Sequence, residues 1–314
     1  MPRGFGHHKG DQRGKMMNCE NHYIPQIAEI TNIVQETTGE RAVKTFRIVL
    51  KDKNVQMEFD DRRPGQTCIL SIFGKGESMF AISSSPTKKG CLEFSVQRMG
   101  RVTEKLHELE VGDEVGIRGP YGNGFPVDEW KDKNIFFIAG GIGMAPVRSV
   151  MNYVLDNGKD YGELHLIYGA RSSRDLSYKA EIDALEQEGA IDVRRTIDVE
   201  EPGWLPIDNK NPEQAKFDPS CRKFTGFVAT TVLAMKCSPD NALAVICGPP
   251  IMIKTSIASL AKLGWSDGQI YMTLENKMKC GIGKCGRCNI GGVYVCVDGP
   301  VFTYAQVKKM LNDQ

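Results

Sequence analysis

Four cysteines near the end of this 314-residue chain constrain its fold more than any other feature. Cys280, Cys285, Cys288 and Cys296 are spaced C-x4-C-x2-C-x7-C within MKCGIGKCGRCNIGGVYVC. The first three match the spacing of a loop that wraps a [2Fe-2S] cluster, whose fourth cysteine follows later. Gly281, Gly283 and Gly286 let the backbone fold tightly around a small inorganic core and aim amide N–H groups at its negatively charged sulfurs. A structural zinc site with four cysteine ligands is the alternative, and it normally uses two C-x2-C or C-x4-C pairs with a longer spacer between them. The other six of the ten cysteines are scattered, unlike a secreted disulfide framework. Clustered thiols in a reducing compartment point to metal.

A chain of this length is expected to form more than one domain, since domains usually run about 100 to 200 residues. Forty basic residues nearly balance thirty-nine acidic ones, which excludes a global field drawing the protein to nucleic acid or an anionic membrane. No stretch approaches the roughly 18 apolar residues of a membrane span, and the N-terminus lacks the apolar core of a secretory signal. A cytoplasmic protein is expected. Residues 1–22 are basic and rich in Gly and His, and read as a mobile tail with solvated His7 and His8 and an unpaired Cys19.

Residues 23–128 carry short β-branched and alternating runs at Lys44–Val49, Thr67–Phe73, Leu92–Val96 and Glu114–Ile117. Gly, Pro and charged turns separate them, the pattern of a small antiparallel β barrel. Over residues 129–270, apolar strands at Ile135–Ala139, Leu164–Gly169, Val193–Ile197 and Leu243–Cys247 alternate with helical segments such as Pro146–Asn157 and Tyr178–Glu188. That is an α/β domain with a parallel sheet, in which the polar, Pro-rich stretch 200–219 is a surface loop. Residues 271–314 form a terminal lobe around the cysteines, ending in a short helix at Thr303–Leu311.

Three strand ends carry ligand-compatible sequences. The first opens GGIGMAP, with Gly140, Gly141 and Gly143 ahead of a helix beginning near Pro146. Such a turn lets a diphosphate approach the backbone and the helix amides, although a tight structural turn looks the same. The second is YGAR, with Gly169 and Arg171, and the third is CGPP, with Cys247, Gly248 and Pro249. All three should share the carboxyl edge of one sheet, where open α/β folds bind ligands. Cys247 reads either as a neighbour of a nicotinamide ring or as a buried structural thiol.

The order of barrel, GGIGxxP, YGAR, CGPP and CGxGxCGxC resembles the ferredoxin-NADP reductase superfamily. Within it, the resemblance is nearest to dihydroorotate dehydrogenase electron-transfer subunits, the gamma subunits of cytoplasmic nickel-iron hydrogenases and the FAD subunit of anaerobic sulfite reductase. It spans roughly Tyr23 to Leu311, and it implies FAD, NAD(H) or NADP(H), and a [2Fe-2S] cluster. The family's flavin segment, R-x-[YF]-S, corresponds here to SMFAISSSP, which has Ser78 in place of the arginine and Ala81 in place of the serine. Phe80, Ala81, Ile82, Ser83 and Ser84 remain as flavin contacts, and Lys75 or Arg98 as replacement cations. In a second family segment, GRVTEKLHEL, Gly100 opens a turn and Thr103 is expected to start a helix, which brings Gly100, Val102 and Thr103 to a helix N-terminus suited to a diphosphate. GPYGNGF, with Tyr121, ends the barrel in the family manner, and Thr273 and Glu275 correspond to residues close to the flavin.

A nicotinamide gives two electrons as a hydride and an iron-sulfur cluster accepts one at a time, so a flavin is needed as converter. The resemblance therefore implies a relay without an acid-base triad. It implies terminal chemistry on partner iron-sulfur or catalytic redox subunits of a hydrogenase, heterodisulfide reductase or sulfite reductase type complex. Dihydroorotate oxidation is the second reading. A zinc-containing, dinucleotide-sensing regulator is the third. The basic residues Arg171 and Arg174 after YGA leave NADH and NADPH both open, with NADH slightly favoured by the resemblance.

Overall fold

The computed structural model describes residues 23–312, so the expected tail with His7, His8 and Cys19 lies outside the described residues. The first domain contains β1 (Gln26–Gln35), β2 (Val43–Leu50), α1 (Lys53–Asp60), β3 (Thr67–Ile72), β4 (Gly76–Ala81), β5 (Leu92–Gln97), α2 (Arg101–His107) and β6 (Glu114–Tyr121). The α/β part follows with β7 (Asn134–Gly140), α3 (Met144–Asp156), β8 (Leu164–Ala170), α4 (Lys179–Gln187), β9 (Asp192–Ile197) and β10 (Leu205–Pro206). It continues through β11 (Lys223–Thr225), α5 (Val228–Ala234), β12 (Ala242–Cys247), α6 (Pro250–Lys262) and β13 (Ile270–Thr273). Last come β14 (Asn289–Ile290), β15 (Val293–Tyr294), α7 (Val295–Asp298), β16 (Val301–Thr303) and α8 (Tyr304–Asn312).

The six barrel strands pair antiparallel in the order β4-β3-β6-β1-β2-β5. The edge strands β4 and β5 approach each other and curl the sheet towards closure, which protects backbone groups that an open edge would expose. Alternate residues turn inward, so Ile30, Phe46, Leu70, Phe94 and Ile117 form a fully buried core. Helix α1 had no apolar run to announce it. Asp52 caps it by accepting from the N–H groups of Asn54 and Val55, and Phe59 anchors it to the barrel core.

The second sheet runs β10-β11-β9-β8-β7-β12-β13-β16, parallel from β10 to β13, with β16 antiparallel at the edge. Both faces are covered. Ile135 and Phe137 point into a core shared with Val147 and Val150 of α3, while Phe136 and Ile138 point into another shared with Val232 of α5 and Leu260 of α6. Burial on both faces is why β7 reads as a continuous apolar run instead of an alternating one. Strands β8 and β9 extend the sheet on one side of β7 and β12 and β13 on the other, so the order reverses between β7 and β12.

Two helix starts differ from expectation. Helix α2 begins at Arg101 instead of Thr103, because the Thr103 hydroxyl accepts from Met99 N (2.8 Å) and donates to Gly100 O (2.9 Å), closing the first turn beneath it. Helix α3 begins at Met144, and Pro146 lies in its first turn, where its missing N–H leaves no bond unmade. The expected boundary at residue 271 falls inside β13. That strand needs a partner on its open edge, and β16 supplies it, so the cysteine segment leaves and re-enters one sheet, closed by Leu274 N donating to Pro300 O (2.9 Å).

Candidate functional site

A cleft of about 1340 Å³ lies between the barrel and the carboxyl edge of the parallel sheet. Its α/β wall is built from Gly140, Gly141 and Gly143 after β7, Ala170 to Ser172 after β8, and Cys247 to Pro250 after β12. Thr273 to Glu275 and Tyr304 close one end. The three strand ends expected to share an edge are thus brought together, at the reversal of strand order between β7 and β12, where open α/β sheets form a ligand crevice. The barrel wall consists of the β1–β2 turn, Thr37 to Arg41, with Val43, Gln97 and Met99. Sequence reasoning missed that turn. Its one local signal is Gly39, at a positive φ of 99°, in the polar run ETTGER.

The glycines of the first loop do different jobs. Gly141 has φ +53° and open space where a side chain would go, so it faces the cleft. At Gly143 an added Cβ would overlap the Cys247 carbonyl oxygen, which makes this glycine a condition for bringing the ends of β7 and β12 together. Gly169 and Pro146 are not on the cleft wall. Gly169 passes beneath Val228 of α5, where a side chain would collide, and Pro146 is buried in α3. Tyr168, fully buried, holds the loop from below: its hydroxyl donates to Gly141 O (3.3 Å) and accepts from Ser177 N (3.0 Å).

Cys247 is buried and receives a hydrogen bond from the Thr273 hydroxyl (2.9 Å). Burial pushes the thiol up to about 12, only partly opposed by that bond, so it is neutral at physiological pH. Glu275 is exposed at the cleft margin. Arg171 also lines the cleft, beside Asp198, whose carboxyl is raised by burial against the pull of Arg171. Glu201 accepts from Ser173 N (3.0 Å). The loop after YGA is therefore flanked by acids as well as by its own arginines.

The flavin segment is less exposed than expected. Phe80 and Ala81 are half-buried on β4, and Phe80, like Val102, packs against the barrel core. Ile82, Ser83 and Ser84 are at most 1 % exposed. The hydroxyls of Ser83 and Ser84 do not reach the cleft, correcting the expectation that they face a ring. Ser83 donates to Glu93 O (2.9 Å), and Ser84 accepts from Glu93 N (3.0 Å) and Arg62 Nη2 (3.1 Å). Gly100 lines a second cavity of about 570 Å³ with Arg41 and Arg98, which adjoins the cleft at Glu40, Arg41 and Met99, residues that line both. Arg98 spends part of its guanidinium on the carbonyls of Glu40 (3.1 Å) and Gly39 (3.2 Å).

What Ser83 and Ser84 do instead is join the domains. Arg148 of α3 donates to Ser83 O (3.2 Å) and Glu93 (2.8 Å), pairs with Glu181 (2.7 Å), and stacks over Tyr178 at 4.9 Å. Ser149 donates to Ser84 O (2.9 Å). Glu93 also takes Arg47 (2.9 Å) and Lys88 (2.7 Å). Burial would raise the Glu93 carboxyl, but Arg148 and Lys88 overcome it and hold it down to about 2. Burial alone would lower the Arg148 guanidinium, and Glu181 and Glu93 more than reverse that. Strand β5, the flavin segment and the helix that follows the glycine loop are thus fastened at one point.

The four cysteines come together in the segment between β13 and β16. Lys284 N and Cys285 N lie 3.3 and 3.4 Å from Cys280 Sγ, Gly283 N lies 3.3 Å from Cys296 Sγ, and the Cys288 and Cys296 sulfurs are 3.4 Å apart. Burial would raise the Cys280 thiol, but the amides of Cys285 and Ile282 outweigh it and bring it to about 7. Cys296 is pushed up to about 12 by burial and by the adjacent Cys288 thiol. Donors aimed at sulfur suit thiolate ligands. Among the described residues no three His, Cys, Asp or Glu side chains are grouped to hold a single ion. Tyr121 belongs to this loop as much as to the barrel. Its ring would lie 2.5 Å from a Cβ added at Gly281, and Asn123 bonds to Gly299 O (2.7 Å) and Val301 O (2.8 Å).

A barrel, a parallel sheet with its switch-point crevice facing that barrel, and a cysteine loop against the barrel's last strand define a nicotinamide- and flavin-linked oxidoreductase with an iron-sulfur lobe. Residues 31–125 match the oxidoreductase FAD-binding domain, 137–257 the oxidoreductase NAD-binding domain, and 275–308 the iron-sulfur cluster binding domain of dihydroorotate dehydrogenase B. The chain is 39% identical to the sulfhydrogenase 2 subunit gamma of Pyrococcus furiosus, over 90% of this chain and 96% of that one. It is 31% identical to a probable dihydroorotate dehydrogenase B electron transfer subunit of Methanocaldococcus jannaschii, over 88% and 89%. The fold is shared with a solved NADH-dependent reduced ferredoxin-NADP oxidoreductase at a TM-score of 0.65 and 21% identity, covering 91% of this chain and 93% of the other. The protein belongs to the family of flavin- and iron-sulfur-dependent electron-transfer subunits that contains the sulfhydrogenase gamma and dihydroorotate dehydrogenase B proteins.

Proposed function

We propose that this chain is the cytoplasmic electron-transfer subunit of an anaerobic redox complex of hydrogenase, heterodisulfide reductase or sulfite reductase type, working between NAD(H) or NADP(H), FAD and a [2Fe-2S] cluster. Residues 23–128 serve FAD, 129–270 the nicotinamide dinucleotide, and 271–314 the cluster. FAD, when bound, converts hydride to single-electron chemistry. The observation that carries the proposal is adjacency. Ala81 of the flavin segment pairs with Thr67, and Thr67 with Tyr121, whose ring meets the cysteine loop. Two strand spacings, about 10 Å, separate Ala81 from Tyr121.

In this reading Gly140, Gly141, Gly143, Arg171, Cys247, Gly248 and Pro249 hold the dinucleotide. Neutral Cys247, kept in place by Thr273, offers a ring a polarisable contact without a charge. Phe80, Ala81, the Gly100–Thr103 turn and Glu275 surround the flavin, and Arg41 and Arg98 line the cavity beside Gly100. Cys280, Cys285, Cys288 and Cys296 hold the cluster. The Cys288 and Cys296 sulfurs lie 3.4 Å apart and the amides of 283–285 face the Cys280 and Cys296 sulfurs, and the C-x4-C-x2-C spacing favours a [2Fe-2S] cluster over one zinc. The greater identity to the sulfhydrogenase subunit favours that type of complex over dihydroorotate oxidation.

The test is an anaerobic ultraviolet-visible spectrum of the purified protein, with iron, zinc and acid-released flavin measured on the same sample. One FAD and two irons per chain, both chromophores bleached by NADH or NADPH, are expected. Zinc without flavin would overturn the relay in favour of a dinucleotide-sensing regulator.

A further inference from the structure

We infer that Glu36 and Tyr178 are positioning residues for the dinucleotide, because they close a hydrogen-bond ring that fixes the two walls of the cleft against each other. The inference rests on the relay reading above. It adds which side chains preset the nucleotide site from the barrel side.

The ring begins and ends at one residue. Tyr178, at the start of α4, donates its backbone N–H to Glu36 Oε2 (2.8 Å) and its hydroxyl to Ser95 Oγ. Thr45 donates to Glu36 Oε1 (2.7 Å), and the hydroxyls of Thr45 and Ser95, which face each other on β2 and β5, are 2.8 Å apart. The Thr45 proton is committed to the carboxylate and the phenol supplies a proton to Ser95. The Ser95 O–H therefore closes the ring onto Thr45, with the Ser83 hydroxyl at 3.3 Å as its longer alternative. Tyr178, Thr45 and Ser95 are each 5% exposed. Burial raises the Tyr178 phenol above its ordinary value, so it remains a donor.

Place is the second observation. Glu36 immediately precedes Thr37 to Arg41, the barrel wall of the cleft, and Tyr178 ends the segment whose Arg171, Ser172, Asp175 and Ser177 line the other wall. The Ser177 N–H goes to the Tyr168 hydroxyl that also holds Gly141, so a displacement at Tyr178 is passed on to the glycine loop. Strain is the third observation. Tyr178 has φ 58° and ψ 31°, a left-handed conformation that a bulky side chain keeps only where its surroundings over-determine it. Arg148 and Ser149 already fasten the α/β domain to Glu93, Ser83 and Ser84, so docking alone does not call for a strained second tie. The ring instead presets the gap between the walls, which cuts the ordering that a dinucleotide has to impose on binding.

The experiment uses the full FAD-loaded chain. Calorimetric titration with ADP-ribose or ADP-ribose 2′-phosphate, which lack the nicotinamide, reads the gap without electron transfer. Anaerobic stopped-flow reduction by NADH or NADPH gives the dinucleotide Kd and the flavin-reduction rate at saturation. Glu36→Ala opens the ring at both carboxylate bonds. It is expected to weaken both affinities about tenfold and to leave the saturating rate within about twofold, because the lost preorganisation serves ground and transition states alike. Tyr178→Phe opens the ring at one bond and should weaken both affinities about threefold. Glu36→Gln can reclose it: the amide carbonyl accepts from Tyr178 N–H, the amide N–H donates to Thr45, and Thr45 turns its own proton to Ser95. That variant should bind within about twofold of the wild type.

A lower melting temperature in Glu36→Ala with unchanged ADP-ribose affinity would overturn the inference and leave a purely structural tie. Unchanged affinity in the milder Tyr178→Phe would overturn it even if Glu36→Ala does not fold. A fall in the saturating rate at constant Kd would also overturn it, by moving the role from binding to hydride geometry. If neither NADH nor NADPH reduces the wild-type flavin while ADP-ribose binding still weakens in the variants, the relay reading fails and the ring stands.

Discussion

Replacing Arg148 by methionine tests whether the two domains are held by a single buried charge. Methionine keeps most of the aliphatic length and removes the guanidinium from Glu93, Glu181 and the Ser83 carbonyl. Removing one partner of a buried pair costs about 3–5 kcal/mol. Glu93 retains Arg47 and Lys88, and the Glu181 side chain is 30% exposed and can rehydrate, so the lower end applies, about 3 kcal/mol. Glu93 provides an upper bound, because Lys88 shares in its shift with Arg148: a carboxyl lowered from its ordinary value near 4.5 to about 2 contributes about 3–4 kcal/mol at roughly 1.4 kcal/mol per pH unit.

Because the folded value is the lower one, that stability is fully present above about pH 4.5 and is lost as pH falls towards 2. The assay is a double-mutant cycle by urea unfolding at neutral pH, with Arg148→Met, Glu93→Gln and both together. A coupling of about 1–3 kcal/mol is expected, together with a shallower loss of stability between about pH 4.5 and 2 in Glu93→Gln. Additive single effects, or an unchanged acid limb, would refute the reasoning.

Other expectations follow from single contacts. Gly143→Ala should weaken NAD(P)H binding at least tenfold in a fluorescence titration while leaving FAD bound, because the added Cβ has to displace the Cys247 carbonyl. Tyr168→Phe leaves the Ser177 N–H buried without its acceptor and should cost about 1–2 kcal/mol, raising KM for the nucleotide at constant flavin content. Cys288→Ser should abolish the cluster's visible absorption and its iron while the flavin spectrum and ferricyanide reduction persist. Loss of flavin together with iron would contradict independent sites.

The sequence is most legible where a local pattern has a local cause. Strands β7 and β12 are apolar runs because both sheet faces are covered, whereas β9 carries the buried Arg194 and Arg195, and the cysteine spacing is set by a loop that closes on itself. The glycine, YGAR and CGPP loops converge because parallel strands put their ends on one edge. Illegible features depend on residues far apart in the chain. Nothing in ETTGER says that the β1–β2 turn walls a cleft with Cys247, since only closure of the barrel on the sheet brings them together. The serines after Phe80 read as ligand hydroxyls because Glu93 and Arg148, the groups that engage them, belong to other strands and helices. GESMFA hardly alternates, so β4 is visible only through its pairing with β3.

The path of the chain at the sheet edge has a consequence for assembly. Residues 274–300 leave β13 and return as β16, adjacent strands joined by the Leu274–Pro300 hydrogen bond. Both ends of the segment are therefore fixed a few ångströms apart before any metal arrives, and the loop-closure entropy has already been met by strand pairing. The loop can fill last and empty first. Stripping its metal with a chelator should raise hydrogen exchange within 276–297 and leave the eight-stranded sheet protected, making the lobe a refillable cartridge on a finished frame.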